Sequence, residues 1–412
     1  MLNTKRHRRK ISLFGHFGSG NFGNESTLQA MLFNLRHLMP DAEITCICSE
    51  PEIVAADYKI PAVSIRATVV RPWNVHNPVA RLARKLFIGI PCELYRWLKG
   101  IKTLWDTDAL MVVGTGLLTD AFGIHGWGPY SMFKWSVIAK MCGCRLMFVS
   151  VGAGPLEQRT GRLFVRSALS LASFRSYRDD ATLEYLNGIG FRPRGDRVYP
   201  DLAFSLPAVQ AKLDTAKGRR PAVGLGLMVY GGMYGIEKTT SAHYAAYLET
   251  LAGFAQWLLN RDYDIRLLKG DLSDPSVTME FKALLRDRFG FHDEHRVMDD
   301  PIQSAEDLLA QLAASNFVVA TRFHNVLLAL FLNKPSIAIS FHHKCSSLMN
   351  QVGLSEYCQD IKKLTVVALI EQFCQLENNA ESIRDMLARK VTECRNALDE
   401  QYTLILKDYL PG

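Results

Sequence analysis

No uninterrupted apolar stretch reaches the roughly 18 residues a helix needs to cross a bilayer. The longest, such as residues 326–332, are short, so nothing in the 412-residue chain reads as a membrane span. A secretory leader is not expected either. The first ten residues, MLNTKRHRRK, are basic, but the apolar ISLF behind them runs straight into glycines without a hydrophobic region of the required length, which makes the cytoplasm the expected compartment. Internal repeats and low-complexity tracts are absent. The nine cysteines hold no close pair besides Cys46/Cys48 and Cys142/Cys144, both C-x-C in apolar surroundings. They read as buried thiols rather than as disulfides or metal ligands.

What is present is an average globular composition, 48% hydrophobic and 22% charged with 29 Gly and 16 Pro, which excludes disordered, fibrous and small disulfide-stapled classes. The formal charge is +7, and residues 1–110 hold 15 Lys and Arg against 9 Asp and Glu, so nearly all the surplus lies there. Such a skew points to an anionic partner near the N-terminal domain.

Short apolar runs alternate with amphipathic stretches, the pattern of parallel sheets covered by helices. Strands are expected at residues 10–15, 43–48, 108–113 and 145–151, with helices at 24–38 and 129–141. After a looser, proline-bearing stretch near residue 207, a second series follows: strands at 222–227, 264–269, 316–320 and 335–340, helices at 241–260, 281–289 and 323–332. Beyond Leu364 the pattern is purely helical, and a C-terminal helix is expected to return to the first domain. The fold class is therefore α/β with two Rossmann-like domains, residues 1–206 and 207–364, and C-terminal helices over 365–412.

Four segments could carry chemistry. GHFGSGNFGNE at residues 15–25 follows a strand and opens a helix, so its glycines let backbone N–H groups approach an anionic or sugar ligand. Gly18, Gly20 and Gly23 also satisfy G-x-G-x-x-G, with Glu50 ending the next apolar run, so a dinucleotide site and a ligand-free tight turn both remain open. VVGTGLLTD at residues 112–120 places Gly114 and Gly116 at a strand end, and His125 lies on the loop beyond. SVGAGPL at 150–156 leads to FRSYRDD at 174–180, where Asp179 could simply cap a helix with Arg178 as its surface neighbour. VVATRFHNVLLAL at 318–330 sets Arg322, a planar fork for phosphate or carboxylate, and His324, a near-neutral acid or base, on the turn before an apolar helix. Against that stands a structural reading in which Arg322 pairs with an acidic neighbour and His324 caps the helix. SFHHKC at 340–345 puts Lys344 beyond the next strand.

Taken together, GHFGSGNFGNE, GTGLLTD, SVGAGPL, YRDDATLEYL, YPDLAFSLP, TRFHNVLLAL and SFHHK come in the order and approximate spacing of the polysaccharide pyruvyltransferase family, which the chain resembles over about residues 11–360. The resemblance implies a two-domain fold similar to GT-B glycosyltransferases, with phosphoenolpyruvate as donor between the domains and a sugar hydroxyl pair as acceptor. It implies no cofactor, metal, nucleotide or nucleic acid. The family's arginine-aspartate motif falls on Arg178 and its R-x-H motif on Arg322 and His324. By that resemblance the arginines hold phosphate and carboxylate and His324 is the acid. His125 is the second candidate, as base toward the acceptor, and Gly18, Gly20, Asn21, Gly114, Gly116 and Lys344 line the substrates. Two departures stand out. Asn24 replaces the family's usual Asp, keeping a capping residue but removing a charge, and Thr115 interrupts the second glycine cluster. A nucleotide-sugar glycosyltransferase and a saccharide- or anion-binding protein without turnover are the competing readings. The first lacks a clearly placed acidic ribose ligand; the second does not account for the Arg and His positions.

Residues 80–105, ARLARKLFIGIPCELYRWLKGIKTLW, interleave six basic residues with Leu, Phe, Ile, Tyr and Trp. One reading is a core helix with a solvated charged face. The other is an interfacial helix lying on an anionic leaflet, divided at Pro91. The resemblance favours the second, since an acceptor built on a lipid carrier would hold the enzyme peripherally at the cytoplasmic membrane.

Overall fold

Strands buried on both faces must be apolar at nearly every position, and that requirement selects the two sheets of this protein. The computed structural model describes residues 8–66, 77–120, 128–207, 220–229, 241–272, 274–291, 293–341 and 343–410. Two compact units are present. The first comprises Met1–Ser19, Met31–Asp201 and Glu400–Gly412, the second Gly20–Ala30 and Leu202–Asp399.

Along the chain the first sheet's elements are β1 (Lys10–Phe14), α1 (Phe22–Leu38), β2 (Glu43–Cys48), α2 (Pro51–Tyr58), β3 (Ala62–Ser64), α3 (Pro78–Arg84) and a π-helical stretch, Lys85–Gly89. They continue as α4 (Ile90–Leu104), β4 (Ala109–Val113), α5 (Gly128–Met141), β5 (Arg145–Val151), α6 (Arg159–Leu171), β6 (Phe174–Tyr177), α7 (Asp180–Gly188) and β7 (Arg197–Val198). Every pairing is parallel, in the order β3-β2-β1-β4-β5-β6-β7. The direction of travel across the sheet reverses between β1 and β4, and open α/β sheets bind ligands beyond the strand ends at such a point. The loops there are residues 15–21 and 114–119.

The second unit carries β8 (Ala222–Gly226), α8 (Ser241–Asn260), β9 (Asp264–Leu268), α9 (Pro275–Phe289), β10 (Val297–Met298), α10 (Ala305–Ala313), β11 (Phe317–Ala320), α11 (Phe323–Phe331), β12 (Ser336–Ser340), α12 (His343–Gln351) and β13 (Cys358–Asp360). Its sheet is also wholly parallel, ordered β10-β9-β8-β11-β12-β13. The reversal lies between β8 and β11, and the loop that leaves β11 there is the one bearing Arg322.

The helical C-terminus consists of α13 (Val366–Asn378) and α14 (Ala380–Leu404), and the chain from Glu400 onward groups with the first unit. A polar fastening explains the attachment. The buried Gln401 donates from Nε2 to Ser150 Oγ at 3.1 Å and to Ser176 Oγ at 2.6 Å, while Tyr409 packs on Phe174 at 5.2 Å between ring centroids.

Two local outcomes depart from the sequence pattern. Helix α9 begins six residues before the expected start, because Pro275 occupies its first turn, where the missing N–H costs nothing. Pro91 does not divide residues 80–105. The π-helical turn directly before it takes up one extra residue and keeps the backbone helical from α3 into α4, since Gly89 and Ile90 both hold right-handed helical angles. All nine cysteines are free thiols, five of them buried.

Candidate functional site

In the first unit the glycine loops are zipped to one another. Gly152 N–H donates to Thr115 O at 3.1 Å, Leu118 N–H to Gly152 O at 3.3 Å and Gly154 N–H to Leu118 O at 2.8 Å, so the second and third segments form one layer beyond β4 and β5. Gly114 is required by that layer, because a Cβ there would stand 2.5 Å from the Ser150 carbonyl oxygen. Gly116 is half-buried in the same loop. Asp120 accepts from the N–H groups of Glu157 and Gln158 at 2.7 and 2.9 Å, which ties the loop to the start of α6. Gly18 has φ +78°, and its absent Cβ would lie 2.6 Å from the Glu50 carbonyl oxygen. Close backbone packing is thus a sufficient reason for that glycine, and the dinucleotide fingerprint need not be invoked.

Arg178 is not a surface neighbour of a helix cap. Asp179 does cap α7, accepting from Thr182 N–H at 2.7 Å, but Arg178 is only 4% exposed, with its Nε 3.4 Å from Asp179 and its Nη1 3.5 Å from Asp201. Its guanidinium lies flat over Gly152, where a Cβ would sit 2.7 to 2.9 Å from Nε, Cζ and Nη2. The third glycine segment therefore makes room for the arginine of the next one. A buried guanidinium between two carboxylates is oriented and solvated by them, at the cost of sharing its charge.

In the second unit, residues 20–22 run antiparallel to residues 270–272. Phe22 N–H donates to Gly270 O at 3.2 Å and Leu272 N–H to Gly20 O at 3.0 Å, with Gly20 at φ +79°. Asn21 caps α1, its Oδ1 accepting from Asn24 N–H at 3.2 Å, and its Nδ2 donates to Asp271 at 3.3 Å. The capping residue is thus Asn21, and Asn24 sits inside the first turn rather than at the cap. Gly23, next along the helix, faces His324: a Cβ on Gly23 would lie 1.8 Å from Nδ1 of that ring and 2.0 Å from Cγ. The glycine of the first segment and the histidine of the fourth are in direct contact.

Helix α11 starts at the reversal point of the second sheet. Its N-cap is Arg322, which makes no side-chain cap hydrogen bond, and His324 is its second residue. Arg322 is buried and pairs with Asp274, donating from Nε to Oδ2 at 3.2 Å and from Nη2 to Oδ1. That is the acidic partner foreseen by the structural reading, and it occupies the Nε edge of the guanidinium. Asp274, fully buried, also accepts from the N–H groups of Gly270 and Asp271 at 2.9 and 3.0 Å. Burial pushes its carboxyl above the usual value, opposed by the charge and hydrogen bonds of Arg322. Lys344, half-buried in the first turn of α12, follows β12, the strand next to β11. His125 lies outside the described residues.

Two members of this arrangement carry no obvious sequence signal. Asp274 precedes a proline at a helix start and reads as an ordinary cap. Asn325 follows His324, is wholly buried, and neither of its amide atoms has a hydrogen-bond partner among the described residues. It lies against Gly226 and Gly270, whose Cβ positions would be 2.9 Å from its Nδ2 and Oδ1. A buried amide held this way is costly, and such cost concentrates where a polar ligand binds. Among the described residues no group of three His, Cys, Asp or Glu is placed to hold a metal ion.

Solved structures with the same fold include a putative UDP-N-acetylglucosamine 2-epimerase from Listeria monocytogenes, with a TM-score of 0.63 and 12% identity over 98% of this chain and 97% of that one. The UDP-N-acetylglucosamine 2-epimerase of Neisseria meningitidis, solved with UDP-GlcNAc, gives 0.60 and 12% over 97% and 100%. At such identity the likeness is one of fold, two Rossmann-like domains of the GT-B kind. In sequence the chain is 20% identical over 411 residues to the amylovoran biosynthesis protein AmsJ of Erwinia amylovora, covering 94% of this chain and 96% of that protein. The sequence model of the polysaccharide pyruvyl transferases matches residues 21–343, a span that takes in Arg178, Arg322 and His324, and the chain belongs to that family.

Proposed function

We propose that this transferase moves the pyruvyl group of phosphoenolpyruvate onto two neighbouring hydroxyls of a saccharide, leaving a pyruvate ketal on a precursor of a cell-surface or exopolysaccharide. The observation that carries this reading is the start of α11, where Arg322, braced by Asp274, and His324, seated against Gly23, share one helix turn beyond the reversal point of a parallel sheet. The chemistry calls for such a pair. Protonation of the donor's methylene carbon makes it a methyl group and leaves an oxocarbenium at C2. One sugar hydroxyl adds there, inorganic phosphate departs with the C2–O electron pair, and the second hydroxyl closes the ketal. Of the two hydroxyl protons released, one replaces that spent on the methylene and the other leaves with phosphate.

His324 is the group that protonates the methylene, because imidazole titrates near the working pH. Arg322 binds an anionic group of the donor and stabilises the charge on departing phosphate, and Arg178 is the guanidinium that the first unit offers to an anion. The helix N-terminus adds a favourable field for an anion. Lys344, at the neighbouring strand end, and the Asn325 amide supply further contacts in the second unit. Guanidinium groups take the place a cation holds in much phosphoryl chemistry, so no metal is needed.

Phosphate release from phosphoenolpyruvate, followed with a panel of synthetic and lipid-linked saccharides, tests the assignment. Arg322→Lys loses the planar fork and His324→Ala loses the proton donor, and each lowers kcat/KM by about 10²–10³-fold with the fold intact. Turnover above about a tenth of wild type in either variant refutes that residue's role. Transfer persists in excess chelator. Loss that magnesium restores would point to a metal-dependent reaction instead.

A further inference from the structure

Residues 77–105 resolve the two readings of that stretch through burial. A core helix hides its apolar stripe, and this one shows it. Val79 is 74% exposed, Phe87 79% and Trp105 74%, and Leu82, Leu86, Ile90, Leu94, Tyr95 and Leu98 are exposed as well. Val79, Leu82, Leu86, Ile90, Leu94 and Leu98 recur at steps of three and four, so they form one continuous stripe along α3, the π-helical turn and α4. No residue of α3 or of the π-helical turn is buried. Isolated exposed leucines are ordinary; a contiguous stripe of this length is an interaction surface.

The stripe is presented on a fixed support. On the packed side of α4, about a quarter turn from the stripe at 100° per residue, Trp97 Nε1 donates to Tyr130 Oη at 3.2 Å, and Glu93 accepts from the buried Lys134 at 3.1 Å and from Tyr130 at 2.9 Å. Leu104 is buried, and Gly100 lets α5 approach so closely that a Cβ would stand 2.7 Å from Ile138 Cδ1. The inner face is therefore committed to the fold, and among the described residues the outer one is left exposed.

Charge identifies the occupant. Residues 77–105 hold six basic side chains against one acid, Glu93, and that acid is turned inward to Lys134, Tyr130 and Arg96. Arg81, Lys85, Lys99 and Lys102 are exposed along the same stretch. An exposed apolar stripe with basic residues beside it and Tyr and Trp at its edges fits the headgroup region of an anionic bilayer, where the stripe enters the acyl boundary and the cations meet lipid phosphates. We infer that α3, the π-helical turn and α4 dock the protein peripherally on an anionic lipid leaflet. This rests on exposure and charge alone and stands apart from the pyruvyl transfer reading.

Sedimentation of the full-length protein with vesicles of phosphatidylcholine, with or without phosphatidylglycerol, tests it. Binding is expected to the anionic vesicles at low salt, to fall with salt, and to be weak on phosphatidylcholine alone. Lys85→Glu with Lys99→Glu reverses two surface charges and should weaken binding by at least about tenfold. Phe87→Ser with Leu94→Ser should abolish sedimentation without changing the melting temperature, since both side chains are exposed. Three results would overturn the inference: no binding to anionic vesicles at low salt, binding that the serine pair leaves unchanged, or a dimer in solution that the serine pair converts to monomer, which would make the stripe's occupant a second copy.

Discussion

Replacing Gly23 by alanine tests the link between the two ends of the family's sequence pattern. The new methyl would be placed 1.8 Å from Nδ1 of His324, against about 3.4 Å for ordinary contact, so the ring must retreat by about 1.6 Å. Misplacing a reacting group by about 1 Å can cost on the order of 10²-fold in rate, about 2.7 kcal/mol of transition-state stabilisation. Gly23→Ala is therefore expected to lower kcat for phosphate release from phosphoenolpyruvate by about two orders of magnitude. The backbone argues the other way. Gly23 sits within the first turn of α1, where alanine is the better helix former by up to about 1 kcal/mol. Once the ring is removed by His324→Ala, the same Gly23→Ala change should be neutral or stabilising in urea unfolding. Full activity in Gly23→Ala would refute the role given to the His324 ring. Equal stability effects of Gly23→Ala in both backgrounds would refute the contact itself, because the penalty must vanish with the ring if the ring causes it.

Asp274→Ala strips the buried Arg322 guanidinium of its carboxylate partner, and urea unfolding should show a loss of about 3–5 kcal/mol. Lys334, whose ammonium donates to Ala313 O at 2.6 Å, has its pKa lowered from 10.5 to about 8 by burial, with the positive charge of Arg384 adding to the effect. Between these values the unfolded chain binds more protons than the folded one, so folding stability gains from Lys334 as pH rises through that window. Chemical denaturation of Lys334→Met and wild type should accordingly show the variant's relative stability declining from pH 8 toward 10.5; a difference independent of pH would refute the assignment.

Periodicity and punctuation already contained much of the architecture. Parallel strands buried on both faces must be near-continuous apolar runs, so ITCIC, LMFVSV and FVVA are legible as strands without any partner in view, and Gly152 directly after the second marks a strand end of the kind beyond which open α/β sheets place ligands. Arg322 and His324 stand out because charged and titratable groups at the mouth of an apolar element are expensive unless used, whereas Arg178 is singled out by the family motif alone. The start of α9 was not legible, because six residues of weak periodicity hid behind Asp274 and Pro275.

Only the tertiary structure decided which side chains meet. Gly23 lies 301 positions before His324, and nothing local says that its missing Cβ makes space for that ring. Asp274 as the partner of Arg322 and the seat of the Asn325 amide against Gly226 and Gly270, in the second unit, and Asp201 beside Arg178, in the first, are likewise contacts between residues far apart in the chain. The stretch from residue 80 to 105 draws the division most clearly. Its sequence specifies an amphipathic basic helix, but whether the apolar stripe faces a core or water depends on what else packs there. Because α5 takes the Trp97–Gly100–Leu104 side through close packing and the Glu93 cluster, the leucine stripe is left outside.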